Sequence, residues 1–162
     1  MDEDAVDFAL VAWREDGDWH AEPIPKDRAV SLSALEDFAR RRQGESGSVV
    51  LVSVSDDFFA AMRIQGRRTR LLLSDLGPAL EWELGEEIAE RLELDLDDDE
   101  IDDLPDGEPA GDLSLLADYN VSADDLDLLC ADLEMYPDEQ VGSIAARIGF
   151  GELLGQVLEV YA

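Results

Sequence analysis

The stretch that decides the fold is Ser48-Val49-Val50-Leu51-Val52-Ser53-Val54-Ser55. Its high content of β-branched residues and its lack of charge predict a buried β-strand. Asp56-Asp57 then turns the chain into a second apolar run at residues 58–65, and Gly66-Arg67 turns it into a third at residues 69–74. We therefore predict a three-stranded antiparallel meander over residues 48–74.

A β-hairpin is predicted before this meander. Residues 6–13 are apolar on much of both alternating faces, which is typical of a central strand of a sheet. Asp16-Gly17 supplies the turn, and residues 19–24 run back as a second strand. Pro23 and Pro25 end that strand because proline has no backbone N–H to donate to the ladder.

Two helices complete the predicted N-terminal domain. Ser31 is a suitable N-cap for a helix that runs through Gln43. A second helix begins at Pro78 or Glu86 and ends at about Leu94, with apolar residues spaced four apart. The predicted order is ββαβββα, which matches longin- and profilin-like folds, in which helices pack on a central antiparallel sheet.

Residues 95–110 interrupt the apolar pattern. Runs of Asp and Glu place like charges side by side, while Pro105, Gly107 and Pro109 oppose a helix. We predict an extended linker here, because its charges repel one another.

Helical periodicity returns after the linker. Asp112 can cap a short helix, and Ser122 with Asp125 resembles a capping box. The helix that follows Ser122 has one apolar stripe, formed by Leu126, Leu129, Cys130 and Leu133. A further helix begins near Pro137, and a last one covers residues 153–161. The predicted class is α+β, with a sheet domain at 1–94, an acidic linker at 95–110 and a small all-helical domain at 111–162.

The charge of the chain restricts its partners. Lys and Arg number 12 against 41 Asp and Glu, a formal net charge of -29, and Arg147 is the single cation beyond residue 94. Such a chain repels nucleic acid and anionic lipid, so a macromolecular partner is expected to be neutral or basic. The acidic N-terminus, the lone Cys130 and the lack of a long apolar run predict a cytoplasmic protein without a membrane segment.

Motifs for metal or cofactor chemistry are incomplete. His20-Ala21-Glu22 has the H-x-E spacing of zinc deaminases, but those enzymes need two further thiolates and the chain has one cysteine. The acidic linker places Glu100 or Asp102 where a calcium-binding loop needs glycine. We predict no metal site, no cofactor and no catalytic residues.

Two segments resemble nucleic-acid-binding motifs, and their charges argue against that function. Residues 116–126 have the look of a helix-turn-helix, but its second helix would present carboxylates to the DNA phosphates. Residues 66–70 form the most concentrated basic stretch, and their arginines alternate along a hairpin where neighbouring carboxylates can pair with them. We expect no direct binding of nucleic acid.

Several segments resemble an actinobacterial family, the tRNA adenosine deaminase-associated proteins. The matching segments lie at residues 11–17, 51–59, 70–75, 110–113, 136–139 and 144–151. The resemblance implies an association with the enzyme that converts the tRNA wobble adenosine to inosine. It implies no catalytic residue, and an acidic chain without zinc ligands suits a partner of that enzyme.

The sequence thus predicts a non-catalytic accessory protein, with a tRNA adenosine deaminase or another basic protein as its partner. The candidate partner-binding residues are Tyr136, Pro137, Asp138 and Glu139, a turn between two amphipathic helices. Tyr136 could also serve to cover the end of a helix stripe. The alternative function is a small-molecule-binding or catalytic domain that uses a groove on the sheet, and the oligomeric state stays open.

Overall fold

A computed structural model describes residues 3–161, which are organised by one six-stranded antiparallel sheet. The spatial order of the strands is β2-β1-β3-β4-β5-β6. The strands are β1 (Val6–Glu15), β2 (Asp18–Pro23), β3 (Ser48–Val54), β4 (Phe58–Gln65), β5 (Arg68–Leu73) and β6 (Ala110–Gly111). The predicted meander is formed by β3, β4 and β5, and the predicted hairpin by β1 and β2, so both predictions are confirmed.

Seven helices accompany the sheet in the described part of the chain, and the predicted α+β class is confirmed. They are α1 (Leu32–Arg40), α2 (Leu76–Ala79), α3 (Glu83–Arg91), α4 (Asp98–Asp102), α5 (Ala123–Ala131), α6 (Pro137–Ile148) and α7 (Gly151–Leu158). The capping box of Ser122 and Asp125 forms as predicted, and α6 begins at Pro137 and is followed by the left-handed C-cap Gly149. The likeness to longin and profilin folds stays a prediction.

Some helix boundaries differ from the predicted ones. Two helices, α2 and α3, replace the single helix expected to end near Leu94. Helix α1 ends at Arg40 instead of reaching Gln43. The predicted short helix before Asn120 is reduced to one 3₁₀ turn, Ala117–Tyr119, followed by Asn120 in the left-handed conformation.

The sheet is covered on both faces. On its first face, side chains such as Val52 and Met62 pack against Leu35 of α1 and Ile88 of α3. On its second face, Leu51 and Phe59 pack with residues of α5, α6 and α7. Strands β3 and β4 are therefore apolar at successive positions, because both sides of each strand are buried.

The second core bears on the predicted domain division. Its members come both from the sheet and from residues 115–157, which the sequence assigned to a separate helical domain. Independent folding of the segments 1–94 and 111–162 stays a prediction, and the shared core argues that each depends on the other.

The acidic segment is more ordered than an extended linker. Residues 98–102 form α4, whose N-cap Asp97 accepts a hydrogen bond from the backbone N–H of Glu100 at 2.8 Å. The partly buried Leu104 packs against the first core, and the backbone N–H of Leu76 donates to the carbonyl of Glu108 at 2.9 Å. Residues 98–102 are thus helical and not extended, and the contacts of Leu104 and Glu108 hold the segment against the first core and α2. Its role as a linker between two domains stays a prediction. Across residues 3–161, no helix is both long and apolar enough to cross a membrane.

Candidate functional site

Residues 136–139, predicted as a turn between two helices, instead form the N-cap and the first turn of α6, and the connection from α5 precedes them. Tyr136 is the N-cap residue, with 58% of its surface exposed, and its backbone N–H donates to Oε1 of Glu139 at 3.2 Å. Pro137 is buried at the first helical position, whereas Asp138 and Glu139 are exposed. The aromatic ring therefore faces solvent beside two carboxylates, and its role in partner binding stays a prediction.

Two further apolar side chains are exposed just before this turn. Leu128 on α5 is 72% exposed and Leu133 is 65% exposed. The sequence placed Leu133 on the buried stripe of α5, which is wrong. Helix α5 ends at Ala131 and Asp132 adopts an extended conformation. Leu133 therefore no longer lies on the same helix face as Leu126 and Cys130. Leu128 was not singled out, although it lies on the face of α5 opposite the buried Leu126 and Cys130.

We call the segment 128–139, with its exposed Leu128, Leu133 and Tyr136, the α5–α6 corner. Its charged residues are all acidic: Asp132, Glu134, Asp138 and Glu139. The one cation beyond residue 94, Arg147, lies outside the corner and its Nη1 is 3.3 Å from Oδ2 of Asp125. The corner thus combines exposed apolar surface with an uncompensated negative charge.

A groove lies between α1 and the β1–β2 hairpin, away from the α5–α6 corner. Its volume is about 680 Å³, within the usual range for a small-molecule site. Three arginines, two aromatic rings and three carboxylates contribute to its lining: Arg28, Arg41, Arg42, Trp13, Phe38, Glu15, Glu22 and Asp37.

The most buried charge is Arg63 on β4, with no exposed surface. Its two terminal nitrogens donate to the two carboxylate oxygens of Asp118 at 2.7 and 2.8 Å. They also donate to the carbonyls of Leu115 at 3.1 Å and Ser46 at 2.9 Å, and the guanidinium lies 4.0 Å from the ring centroid of Tyr119. The hydrogen bonds from Arg63 hold the pKa of Asp118 below its usual value of 3.8. This cluster fastens residues 115–119 to the sheet and is structural.

A second charged cluster surrounds the buried Glu36 of α1. Its carboxylate accepts hydrogen bonds from Arg91 at 2.9 Å, from Thr69 at 2.9 Å and from Arg40 at 3.0 Å. Burial alone would raise the pKa of Glu36, but these donors and the positive charges outweigh it and lower the pKa. The cluster joins α1 to α3 and β5, which makes it a structural element.

The side chains with metal-binding or nucleophilic atoms, His20 and Cys130, lie apart. The exposed His20 stacks on Trp13, with ring centroids 5.6 Å apart. Cys130 lies in the second core, and burial raises the pKa of its thiol to about 12, so a reactive thiolate is disfavoured. Within residues 3–161, no three His, Cys, Asp or Glu side chains are grouped as metal ligands.

The basic stretch of the β4–β5 hairpin pairs differently from the prediction. Nη1 of Arg70 lies 3.5 Å from Oδ2 of Asp112, a residue beyond the hairpin. Nη2 of Arg70 donates to the carbonyl of Leu115 at 3.3 Å. Arg67 and Arg68 are exposed near the turn, and neither forms an ion pair within the described part of the chain. Among residues 3–161, these arginines thus form no ion pair across the β4–β5 hairpin, and of the three only Arg70 pairs with a carboxylate.

Comparison with known proteins identifies the family. Residues 7–151 match the family described as Rv3753c-like tRNA adenosine deaminase-associated protein. Among its relatives is Protein Rv3753c of Mycobacterium tuberculosis, 32% identical over 152 residues, which cover 94% of this chain and 87% of the relative. No solved structure matches the chain. The chain belongs to the Rv3753c-like tRNA adenosine deaminase-associated family.

Proposed function

We propose that this member of the family is a non-catalytic accessory protein that binds a tRNA adenosine deaminase in the cytoplasm. The family description supports the identity of the partner. The observation that carries the proposal is the α5–α6 corner, where Leu128, Leu133 and Tyr136 are each more than half exposed in an acidic surrounding.

The chemistry of the corner fits a basic protein. An enzyme that binds tRNA must present cations to the phosphates, and carboxylates on an accessory protein can steer towards that surface. Rim charges of this kind mainly raise the association rate, whereas buried apolar and aromatic side chains supply most of the affinity. The corner offers both elements within twelve consecutive residues, 128–139.

A catalytic role receives less support from the groove beside α1. The lining contains arginines, carboxylates, aromatic rings, Pro25 and Gln43, but none of its residues is Ser, Cys or His. Catalysis by a serine or cysteine nucleophile with a histidine base therefore has no candidate in this lining.

The partner proposal is tested with the purified chain and the tRNA adenosine deaminase of the same host. Tyr136→Ala should weaken the complex by about 1–2 kcal/mol, measured by calorimetry or biolayer interferometry, because a solvent-facing ring would become buried on binding. Its melting temperature should stay nearly unchanged, since Tyr136 is 58% exposed.

Val160→Ala is the matched control, because Val160 is 67% exposed but lies outside the corner. The proposal fails if the wild-type chain shows no affinity for the deaminase, or if both substitutions have the same effect. A large loss of stability in Tyr136→Ala with unchanged affinity would assign this residue to packing.

Two further measurements address nucleic acid and catalysis. The chain alone should not deaminate a tRNA anticodon stem-loop, with or without added zinc, and should not retain tRNA at physiological salt. A zinc-dependent turnover by the chain alone would refute the accessory role. A strongly salt-dependent complex with tRNA would refute the expected repulsion.

A further inference from the structure

Two arginines that line the groove beside α1 form no ion pair with the described residues, 3–161. Most other arginines are paired: Arg40 and Arg91 with Glu36, Arg63 with Asp118, Arg70 with Asp112 and Arg147 with Asp125. Arg28 and Arg41 line the groove, and neither forms an ion pair with any residue in the range 3–161. In so acidic a chain, two unpaired guanidiniums in one concavity leave an unused capacity to bind an anion.

The third arginine of the groove is fixed in place. Nε of Arg42 donates to Oε2 of Glu22 at 2.5 Å, and its Nη1 donates to the carbonyl of Phe38 at 2.9 Å. The guanidinium lies 3.8 Å from the ring centroid of Phe38. Arg42 therefore contributes to the wall of the groove, and its charge is already balanced by Glu22.

Aromatic surface adjoins these cations. Trp13 is half-buried at the end of β1, lines the groove and is stacked on His20 at an interplanar angle of 19°. An indole held in this way can contact a planar ligand without much further loss of side-chain freedom.

We propose that this groove binds a small anion that carries a planar ring, and that nucleoside monophosphates are the ligand class. Arg28 and Arg41 bind the phosphate, and Trp13 contacts the base. Glu15 and Asp37, the two groove carboxylates without a described ion-pair partner, accept hydrogen bonds from ribose hydroxyls or base amino groups.

The same carboxylates and the net charge of -29 weaken the binding of an anion that has no ring. Phosphate alone gains two guanidinium contacts but meets a repulsive field, so the ring contact must supply part of the affinity. The groove volume of about 680 Å³ leaves room for both parts of the ligand. This inference does not depend on the deaminase as a partner, because the groove shares no residue with the α5–α6 corner.

The test is titration calorimetry of the full chain with adenosine monophosphate, adenosine and inorganic phosphate at low salt. We expect saturable binding of one adenosine monophosphate, and binding at least about tenfold weaker for each of the two fragments. The absence of saturable binding at millimolar nucleotide, or equal binding of inorganic phosphate, would overturn the proposal.

Charge reversal locates the site. Arg28→Glu with Arg41→Glu should weaken nucleotide binding by about tenfold or more, because two charge-assisted contacts become repulsive. Arg67→Glu with Arg68→Glu is the matched control, since it changes the net charge equally at exposed positions outside the groove lining. Equal weakening in both double variants would show a general effect of charge and overturn the assignment. Both double variants should have the melting temperature of the parent chain. If the groove variant is unfolded, Arg28→Gln with Arg41→Gln takes its place in the titration.

Discussion

Replacement of Asp118 by asparagine tests how residues 115–119 are held on the sheet. The substitution keeps the size of the side chain but removes the charge that neutralises the fully buried Arg63. Breaking a buried ion pair costs about 3–5 kcal/mol. Here the loss is smaller, because the Asp118 side chain is 50% exposed and Arg63 keeps the carbonyls of Leu115 and Ser46 as acceptors. We expect a loss of about 2–3 kcal/mol in the free energy of unfolding.

Urea unfolding followed by circular dichroism measures this loss. Arg147→Gln serves as the control, because it removes a solvent-exposed ion pair with Asp125 and should cost less than about 1 kcal/mol. The double variant Arg63→Met with Asp118→Asn should lose less stability than the two single variants together, since the two side chains interact directly. If Asp118→Asn costs no more than Arg147→Gln, the structural role assigned to Arg63 is refuted.

The same variant has a pH signature. The pKa of Asp118 is lowered in the folded chain, so its ionised form contributes stability above its unfolded value of 3.8. That contribution disappears as the pH falls below 3.8 and through the lower folded pKa. Asp118→Asn should therefore flatten the acid side of the stability profile, as seen in urea midpoints measured between neutral and acidic pH. An unchanged acid slope would contradict the assignment.

Two other predictions concern the sheet and its cover. Gly111→Ala should destabilise the chain by about 2 kcal/mol or more in urea unfolding, because φ is +116° and a Cβ would lie 2.1 Å from the carbonyl oxygen of Leu71. Gly155→Ala, at an open position of α7, should be neutral or stabilise by up to about 1 kcal/mol, and equal effects would contradict this reasoning. A fragment of residues 1–110 should lose cooperative thermal unfolding, because the second face of the sheet would be exposed to water. Cooperative unfolding of that fragment would instead support the predicted two-domain division.

The sheet was predictable because the residue types within its strands and turns indicate them locally. Residues 48–54 are β-branched and uncharged, and Asp16-Gly17 fixes a hairpin, so strands and turns follow from local chemistry. The apolar residues on both sides of β1 also indicated burial of both faces. The two-residue strand β6 was missed, because a strand this short has no detectable period.

The charged contacts could not be read from the sequence. Arg63 stands between apolar residues of β4, and its partner Asp118 is 55 positions away. In the same way, Arg28 and Arg41 are brought to one groove by tertiary packing. Pro137 as the first residue of a helix was predicted from the sequence, and the binding role of residues 136–139 stays a prediction. The exposure of Leu133 depended on where α5 ends.

The double cover of the sheet has a consequence for synthesis on the ribosome. The hydroxyl of Tyr161 is 2.7 Å from the carbonyl oxygen of Ala9 and 2.6 Å from that of Ile24, so the last described helical turn closes on the first strand. The apolar second face, with Leu51 and Phe59, cannot be fully shielded until residues 137–161 have left the exit tunnel. Until those residues fold onto the sheet, its apolar second face stays open to water and to aggregation.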